Sequence, residues 1–301
     1  MKPILSIIII SYNTCDITLN CLKSIFQDKG LKQTPFEIIV VDNNSKDDSV
    51  KNLKKLGDKI IFIENKNNAG FGKANNQGLK IAQGNYILFL NSDTIILHSA
   101  ISQSLDWLCS HPESSTCTAQ LLNKDKTIQA SGGFFPNLGN VFTWCLSLDD
   151  LPLINKIIKP IHPHTPNFYT HDKFFTKDHP QDWVTGAFML TRKNILNKIG
   201  GFDENYFMYG EELELSFRIK NNTLNNQVWY LIGPQIIHLG GASAKNKIDP
   251  ILNEYRGISS FFKKHKASWQ YPIVKLLLKI NAFIRAIIHL SPIYLQACSK
   301  I

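Results

Sequence analysis

Two groups of carboxylates in this 301-residue sequence stand where they could do chemistry. Asp93 follows the apolar run Tyr86-Ile87-Leu88-Phe89-Leu90 by three residues. A carboxylate there can hold Mg2+ or Mn2+, and such an ion neutralises a diphosphate both for binding and for departure as a leaving group. Asn91-Ser92-Asp93-Thr94 equally suits a turn or a helix N-cap, which these residue types favour on their own. Glu211, Glu212 and Glu214 form the second group. A carboxylate can take the proton of an attacking hydroxyl. Three acids in a first helical turn can also simply complement the macrodipole, for about 0.3–1 kcal/mol each. With a helix starting near Gly210, Glu211, Glu214 and Arg218 fall on one side within about 60°, and Leu213 and Phe217 form the core stripe. Glu214 and Arg218 then stand in the favourable i,i+4 orientation, while Glu212 projects elsewhere without an obvious partner.

The elements that must position these groups alternate. Ile4 to Ile10 is a β-branched run of the kind found in strands covered on both faces, followed by helical spacing from Thr14 through Leu19, Leu22, Ile25 and Phe26. Phe36 to Asp42 reads as a second buried strand, Asp47 to Leu56 as a helix, and Lys59 to Glu64 as a third strand. A Gly/Asn loop, a helix to Ala82 and the strand from Tyr86 complete the pattern. Four alternations in about 90 residues call for an α/β fold, with a mostly parallel sheet and helices on both faces. Ligands of such sheets bind at the carboxyl ends of the strands. Those ends carry Ser11-Tyr12-Asn13, Asp42-Asn43-Asn44-Ser45, Asn65 to Gly72 and Asn91-Ser92-Asp93.

A dinucleotide site would need GxGxxG in the first strand-to-helix turn, so that the backbone can approach a pyrophosphate. That turn reads Ser11-Tyr12-Asn13-Thr14-Cys15, and the later Gly70-Phe71-Gly72 has Asn75 where the final glycine would stand. A dehydrogenase is thereby disfavoured. Ser11-Tyr12-Asn13, Val41-Asp42-Asn43-Asn44-Ser45, the stretch from Asn67 to Gly78, Leu90-Asn91-Ser92-Asp93-Thr94 and Phe207-Met208-Tyr209-Gly210-Glu211-Glu212 together resemble the successive motifs of family 2 glycosyltransferases. The likeness is particularly to the rhamnosyltransferase-like branch, and it spans about residues 1–244.

The resemblance implies a GT-A fold, a nucleotide-sugar donor (dTDP- or UDP-linked, with rhamnose suggested by the branch) and an inverting, metal-assisted transfer to a glycan or polyprenol-linked glycan. It assigns Tyr12, Asn13, Asp42, Gly70, Asn75 and Ser92 to the nucleotide, with Asp42 at the base or ribose. Asp93 falls on the metal-binding Asp of the DxD motif, whose first Asp is Asn91 here, so that Asp93 must do most of the ligation. Glu212 falls on the general base, as Glu where Asp is commoner. Trp183, Gly186 and Glu211 are assigned to sugar or acceptor, Trp183 as an aromatic face for a sugar ring; a core tryptophan is the alternative. His238 matches a histidine that completes the metal shell or touches the diphosphate; a structurally satisfied histidine is the alternative. A non-catalytic nucleotide-sugar or glycan-binding protein on the same fold is the competing function.

Residues 134–181 mix six prolines with His162, His164, His171 and His179. Their spacing lacks cysteines or a helical HxxxH, so a mobile loop over the acceptor side is expected rather than zinc. The net charge of +9 is concentrated at the end: residues 1–244 carry 23 basic and 22 acidic side chains, residues 245–301 carry 10 and 2. Between Pro272 and Pro292, Lys275, Lys279, Ala282, Arg285, Ala286 and His289 share a helical arc of about 120°, with Leu278 the one large apolar intruder. The remaining arc is apolar, as in a helix lying on an anionic membrane. A helix packed on the catalytic domain or at a dimer contact is the alternative, and homo-oligomerisation is left open. A bilayer span is disfavoured, because Lys279 and Arg285 near the centre would cost roughly 2.5–3.5 kcal/mol each. No nucleic-acid motif accompanies the basic residues. The six cysteines show no CxxC or paired framework, and the short apolar stretch after Met1 argues against export. The expected architecture is therefore a GT-A domain over 1–244 and a basic amphipathic helical tail over 245–301, cytoplasmic and peripheral to the inner face of the cell membrane.

Overall fold

The computed structural model describes all residues except 1, 169–171, 223–226, 242–247, 289, 292, 295, 297–298 and 300–301. The first part of the chain runs β1 (Leu5–Ser11), α1 (Cys15–Phe26), β2 (Phe36–Asp42), α2 (Ser49–Lys54), β3 (Ile61–Glu64), α3 (Phe71–Ile81), β4 (Tyr86–Asn91), β5 (Thr94–Leu97) and α4 (Ala100–Ser110). It continues through β6 (Ser114–Leu122), β7 (Ile128–Gln129), α5 (Leu138–Cys145), α6 (Pro152–Ile157), β8 (His179–Gln181), β9 (Phe188–Arg192) and α7 (Lys193–Ile199). Last come α8 (Glu211–Asn222), β10 (Gln227–His238), α9 (Ile248–His265) and α10 (Gln270–Ile288).

The strands form one sheet in the order β3-β2-β1-β4-β9-β6-β10-β5, with β7 beside β6 and β8 beside β10. The part built from residues 1–91 is wholly parallel, as the alternation of strands and helices requires; β9 joins β4 antiparallel, and beyond it the sheet is mixed. Ile7, Ile9, Val40, Leu88 and Leu90 pack on one face with α1 and α4, whereas Ile8, Ile39, Val41, Ile87 and Phe89 pack on the other with α3. Successive strand residues thus enter opposite cores, which is why these runs lack polar alternation. Each large aliphatic side chain so buried stabilises by about 1.5–3 kcal/mol. Helix α3 buries Gly72, Ala74, Asn75 and Gly78. A Cβ on Gly78 would lie 2.6 Å from Ile8 Cγ2, so glycine lets the helix close on β1. Strand order reverses at β1, with β2 on one side and β4 on the other, and that reversal opens a crevice at the carboxyl ends.

Two expectations are corrected here. Residues 134–181 are not simply a loop: Asn137 and Asn140 form a capping box that starts α5, and α6 follows. His171 lies outside the described residues, and among those described no group of three or more His, Cys, Asp or Glu could hold a metal. Helix α10, in turn, packs on the protein through the arc expected to be polar. Leu278 is its centre, buried with Val274, Ala282 and Ala286. Val274, Leu278 and Ala282 join Trp144 and Cys145 of α5 and Tyr255, Ile258 and Phe262 of α9 in a separate apolar core. Small alanines let the backbones approach, and Asn281 is satisfied inside by the Tyr255 hydroxyl and the Cys145 carbonyl. His289 of that arc lies outside the described residues.

The opposite face of α10 has no cover among the described residues. Trp269, Ile273, Leu276, Ile280, Phe283 and Ile287 are 36–60% exposed and alternate four and three residues apart, a stripe about 80° wide. Lys275 and Lys279 lie along one flank. Among the described residues no helix is long and apolar enough to cross a membrane.

Candidate active site

Strand pairing brings Asp93 and His238 together. β5 runs antiparallel to β10 with His238 opposite Thr94, and the Leu239 N–H donates to the Asp93 carbonyl at 2.9 Å. His238 Nε2 then lies 3.3 Å from Asp93 Oδ1 and 3.3 Å from Asn91 Nδ2. The other ring nitrogen, Nδ1, is 2.6 Å from Gln129 Oε1. The Gln129 amide nitrogen donates to Asn123 Oδ1 at 2.9 Å, which turns its oxygen towards the ring and assigns the Nδ1 proton. In the neutral imidazole the Nε2 lone pair therefore faces the same point as the Asp93 carboxylate. Burial works to raise the Asp93 carboxyl, but His238 and the backbone N–H groups of Asp93 and Gly240 outweigh it and hold it below the usual carboxylate range. One charged oxygen and one nitrogen lone pair, with the nitrogen oriented by a hydrogen-bonded amide, suit a divalent cation that takes its other ligands from phosphates and water. Asn91, whose Nδ2 lies 3.3 Å from Nε2, adds no charge, so Asp93 and His238 are the residues that would hold such an ion.

Helix α8 starts from a strained turn, with φ of 69° at Tyr209 and 92° at Gly210. The Phe71 N–H donates to the Phe207 carbonyl at 2.9 Å, and a Cβ on Gly70 would lie 2.5 Å from that carbonyl oxygen. The Phe71 ring in turn lies 3.0 Å from where a Cβ on Gly186 would stand, and the Asn91 N–H donates to the Ala187 carbonyl at 3.1 Å. Contacts thus run from Asn91, two residues from Asp93, through the strand entry at 186–187 and Phe71 to the turn that launches α8. Tyr209 feels both ends. Burial raises its hydroxyl, as do the carboxylates of Glu212, Glu254, Glu211 and Asp93. Tyr209 thus lies within electrostatic reach of both Asp93 and Glu212.

Glu212 is half-buried and its Oε2 has no hydrogen-bond partner, as its position on the helical wheel requires. Burial raises its carboxyl against the N–H groups of Glu212 and Gly210 and the nearby His162, and burial prevails. Glu211 is more deeply buried, and burial plus repulsion from Glu212 push it well above the ordinary range. Of the pair, Glu211 is the more buried and its carboxyl the more strongly raised. Glu214 is fully buried and accepts from Arg218 Nε at 2.9 and 2.8 Å, the expected i,i+4 pair.

Several expected site residues are placed differently. Asp42 is 0% exposed, and its oxygens accept from the Ser45 N–H at 2.8 Å and hydroxyl at 2.6 Å. It fixes the loop after β2. The Asn13 side chain accepts there from the Lys46 N–H at 2.6 Å, while Tyr12 lies half-buried beside it. Trp183 is no open platform, being 4% exposed with Nε1 donating to the Phe134 carbonyl at 3.3 Å. Glu211 faces Gly72 of α3. Asn75 is buried and donates to the Phe71 carbonyl at 3.1 Å, so it braces the start of α3. Ser92 is buried near the Thr14 hydroxyl, at 3.5 Å. Gln129, Glu254 and Gly257 went unread in the sequence, and His162 was read only as part of a loop over the acceptor side. Gly257 of α9 packs against the α8 turn, where a Cβ would lie 2.6 Å from the Tyr209 carbonyl oxygen. Its signal was a glycine inside a helical pattern.

The profile of glycosyl transferase family 2 matches residues 6–200. The chain belongs to this family. Among curated relatives of this family 2 glycosyltransferase, an uncharacterized glycosyltransferase of Methanocaldococcus jannaschii, MJ1057, is 25% identical over 201 residues; the match spans 66% of this chain and 59% of that protein. The N-acetylglucosaminyl-diphospho-decaprenol L-rhamnosyltransferase of Mycobacterium tuberculosis is 21% identical over 263 residues, 80% of this chain and 79% of that protein. Among solved structures, the mannosyltransferase PcManGT of Pyrobaculum calidifontis, in complex with GDP-Man and Mn2+, superposes with a TM-score of 0.55 at 14% identity, covering 99% of this chain and 74% of that one. The fold is thus that of the GT-A glycosyltransferases, and the rhamnosyltransferase-like branch is represented among the relatives.

Proposed function

We propose that this family 2 glycosyltransferase moves a sugar, with inversion, from a dTDP- or UDP-linked donor to a hydroxyl of a polyprenol-linked glycan; L-rhamnose is the donor sugar that the branch favours. The observation that supports the reading is Glu212, whose buried Oε2 is unpartnered at the start of α8, next to a Tyr209 that also feels Asp93. Asp93 and His238 would hold Mg2+ or Mn2+, and the nitrogen donor suits Mn2+ better than the oxygen-seeking Mg2+. The bound ion supplies charge neutralisation for the departing diphosphate. Gln129 keeps the His238 lone pair aimed at that point. Glu212 accepts the acceptor hydroxyl's proton on Oε2 as the oxygen attacks the anomeric carbon, and its raised affinity brings it closer to neutral pH, where a base works best. Burial and the neighbouring Glu212 raise the Glu211 carboxyl, which disfavours a second negative charge in the site.

Residues 245–301 serve as a packing element with a membrane-facing side: the exposed stripe of α10 and its lysine flank suit an anionic bilayer, the cytoplasmic leaflet being such a surface. Thermal-shift screening of nucleotide sugars with and without Mn2+ tests the donor reading. At a hundredfold excess over Kd a ligand of the folded state stabilises by about 2.7 kcal/mol, or roughly 5–10 °C for a chain of this size. Asp93→Asn is expected to abolish the Mn2+-dependent part. An equal shift in that variant removes Asp93 from the site.

A further inference from the structure

Tyr209 holds a backbone conformation that does not suit its side chain. Its φ of 69° lies in the left-handed region, where an aromatic residue is an outlier and glycine would fit without strain. Neighbouring elements fix the backbone on both sides. The Phe207 carbonyl, two residues earlier, accepts from the Phe71 N–H at 2.9 Å, and Gly257 of α9 approaches the Tyr209 carbonyl so closely that a Cβ there would lie 2.6 Å away. Residues kept in such conformations by their surroundings cluster at ligand contacts. At this position stands a phenol, 38% exposed, rather than a glycine.

Four carboxylates from three segments act on that phenol: Glu212, Glu254, Glu211 and Asp93, in falling order. Most of them are occupied elsewhere. Asp93 lies 3.3 Å from His238, Glu254 lies 3.4 Å from His162, and Glu211 stands against Gly72 of α3. Glu212 Oε2 has no partner, and among the described residues the Tyr209 hydroxyl makes no hydrogen bond either. Burial and the carboxylates raise the hydroxyl, so it keeps its proton and remains a donor. An unpartnered acceptor and an unpartnered donor at the start of one helix, not bonded to each other, match a molecule that offers both a hydroxyl proton and a hydroxyl oxygen. Adjoining hydroxyls of a sugar ring do so. Because Glu212 acts on the phenol most strongly and Asp93 least, Tyr209 belongs to the side of the base rather than to the side of the phosphates.

We propose that Tyr209 is an acceptor-binding residue, whose hydroxyl donates to the acceptor-sugar hydroxyl next to the one that Glu212 deprotonates and so fixes the direction of attack. The inference rests on the glycosyltransferase reading with Glu212 as base, and it names a residue that orients the acceptor.

The test uses the full chain, dTDP-L-rhamnose as donor, N-acetylglucosaminyl diphosphate carrying a short prenyl chain as acceptor, and monodeoxy analogues of that acceptor. Tyr209→Phe keeps the ring and removes the hydroxyl. Its kcat/KM for the acceptor is expected to fall about 3- to 10-fold, the size of one neutral hydrogen bond, with Tm and the affinity for dTDP and Mn2+ unchanged. In the wild type one monodeoxy analogue should show a loss of the same size, and Tyr209→Phe should treat that analogue and the parent acceptor alike, because one hydrogen bond can be lost only once. Tyr209→Asn, which suits the left-handed backbone, should lose acceptor kcat/KM at least as far. Wild-type acceptor kinetics in Tyr209→Phe, or losses that add for every analogue, overturn the inference. A fall in dTDP affinity as large as the fall in acceptor kcat/KM assigns the phenol to the donor and overturns it as well. Mn2+-dependent release of dTDP from the donor by the wild type, lost in Asp93→Asn, reports the glycosyltransferase reading on its own, so that its failure is distinguishable from failure of the Tyr209 contact.

Discussion

Replacing Glu214 by Gln removes one negative charge without changing shape, and the structure indicates what that charge holds. The Glu214 side chain is fully buried and receives Arg218 through Nε and Nη2, Lys264 Nζ at 2.5 Å and His265 Nε2 at 3.0 Å. Arg218 also donates to the carbonyls of Ile199 and Gly201, and Lys264 to Asp203 at 2.8 Å. One carboxylate thus fastens α8, which carries Glu212, to α9. Removing one partner of a buried ion pair costs about 3–5 kcal/mol, because the other charge is left uncompensated. Lys264 keeps Asp203 and is 43% exposed, so the lower end applies, about 3 kcal/mol. In a chain of this size that is a loss of roughly 6–12 °C in Tm.

The pH dependence gives a second readout. Burial acts to raise Glu214, but Arg218 and Lys264 outweigh it and hold the carboxyl below its ordinary value. A carboxyl with a depressed folded-state pKa contributes stability above its unfolded pKa, near 4.3, and loses it as pH falls through the folded value. The gap between wild type and Glu214→Gln should therefore be full at pH 7 and close in acid. Differential scanning calorimetry or fluorescence-detected melting across pH 3–8 measures it. A Tm loss under about 2 °C at pH 7, or a gap that widens in acid, refutes the network's role.

Glu211→Gln should behave in the opposite sense. The Glu211 carboxyl is raised by burial and by Glu212, so its folded state favours the proton and its destabilising effect grows as pH rises above the unfolded value. The variant is expected to gain Tm relative to wild type between pH 5 and 8; a gain confined to acid would contradict the burial reading. Gly257→Ala places a Cβ 2.6 Å from the Tyr209 carbonyl oxygen, a backbone atom that cannot swing aside. Overpacking of this kind costs about 1–3 kcal/mol and should displace the start of α8, lowering kcat more than donor affinity. Unchanged kcat and Tm in that variant would show that the contact carries no strain.

What was legible in the sequence follows from range. The buried strands of residues 1–91 announce themselves as β-branched runs because both faces are covered. The Glu214–Arg218 pair and the isolation of Glu212 follow from helical geometry within four residues. The bracing of the loop after β2 by Asp42 was not read, although its partner is three residues away, because Ser45 can serve either a turn or a ligand and only burial decides. Trp183 likewise has a type suited to a sugar, and its cover comes from the distant α5 and α9. Gln129 was beyond reach: it meets His238 across 109 residues, through pairing of β7 with β6 that no local pattern encodes. In α10 the wheel separated the two faces correctly. Which one would pack was decided by Leu278 and its flanking alanines, small residues that admit a neighbouring helix.

The most direct measurement compares wild type and Glu212→Gln in steady-state transfer and in donor binding, over pH 4.5–9. The wild-type kcat should rise along an acid limb set by a carboxyl displaced above its ordinary value, and the variant should lose at least two orders of magnitude in kcat, a size typical of a missing general base, with donor affinity intact. A variant that turns over at the wild-type rate, or one that loses donor binding and turnover together, would contradict the assignment of Glu212 as the base.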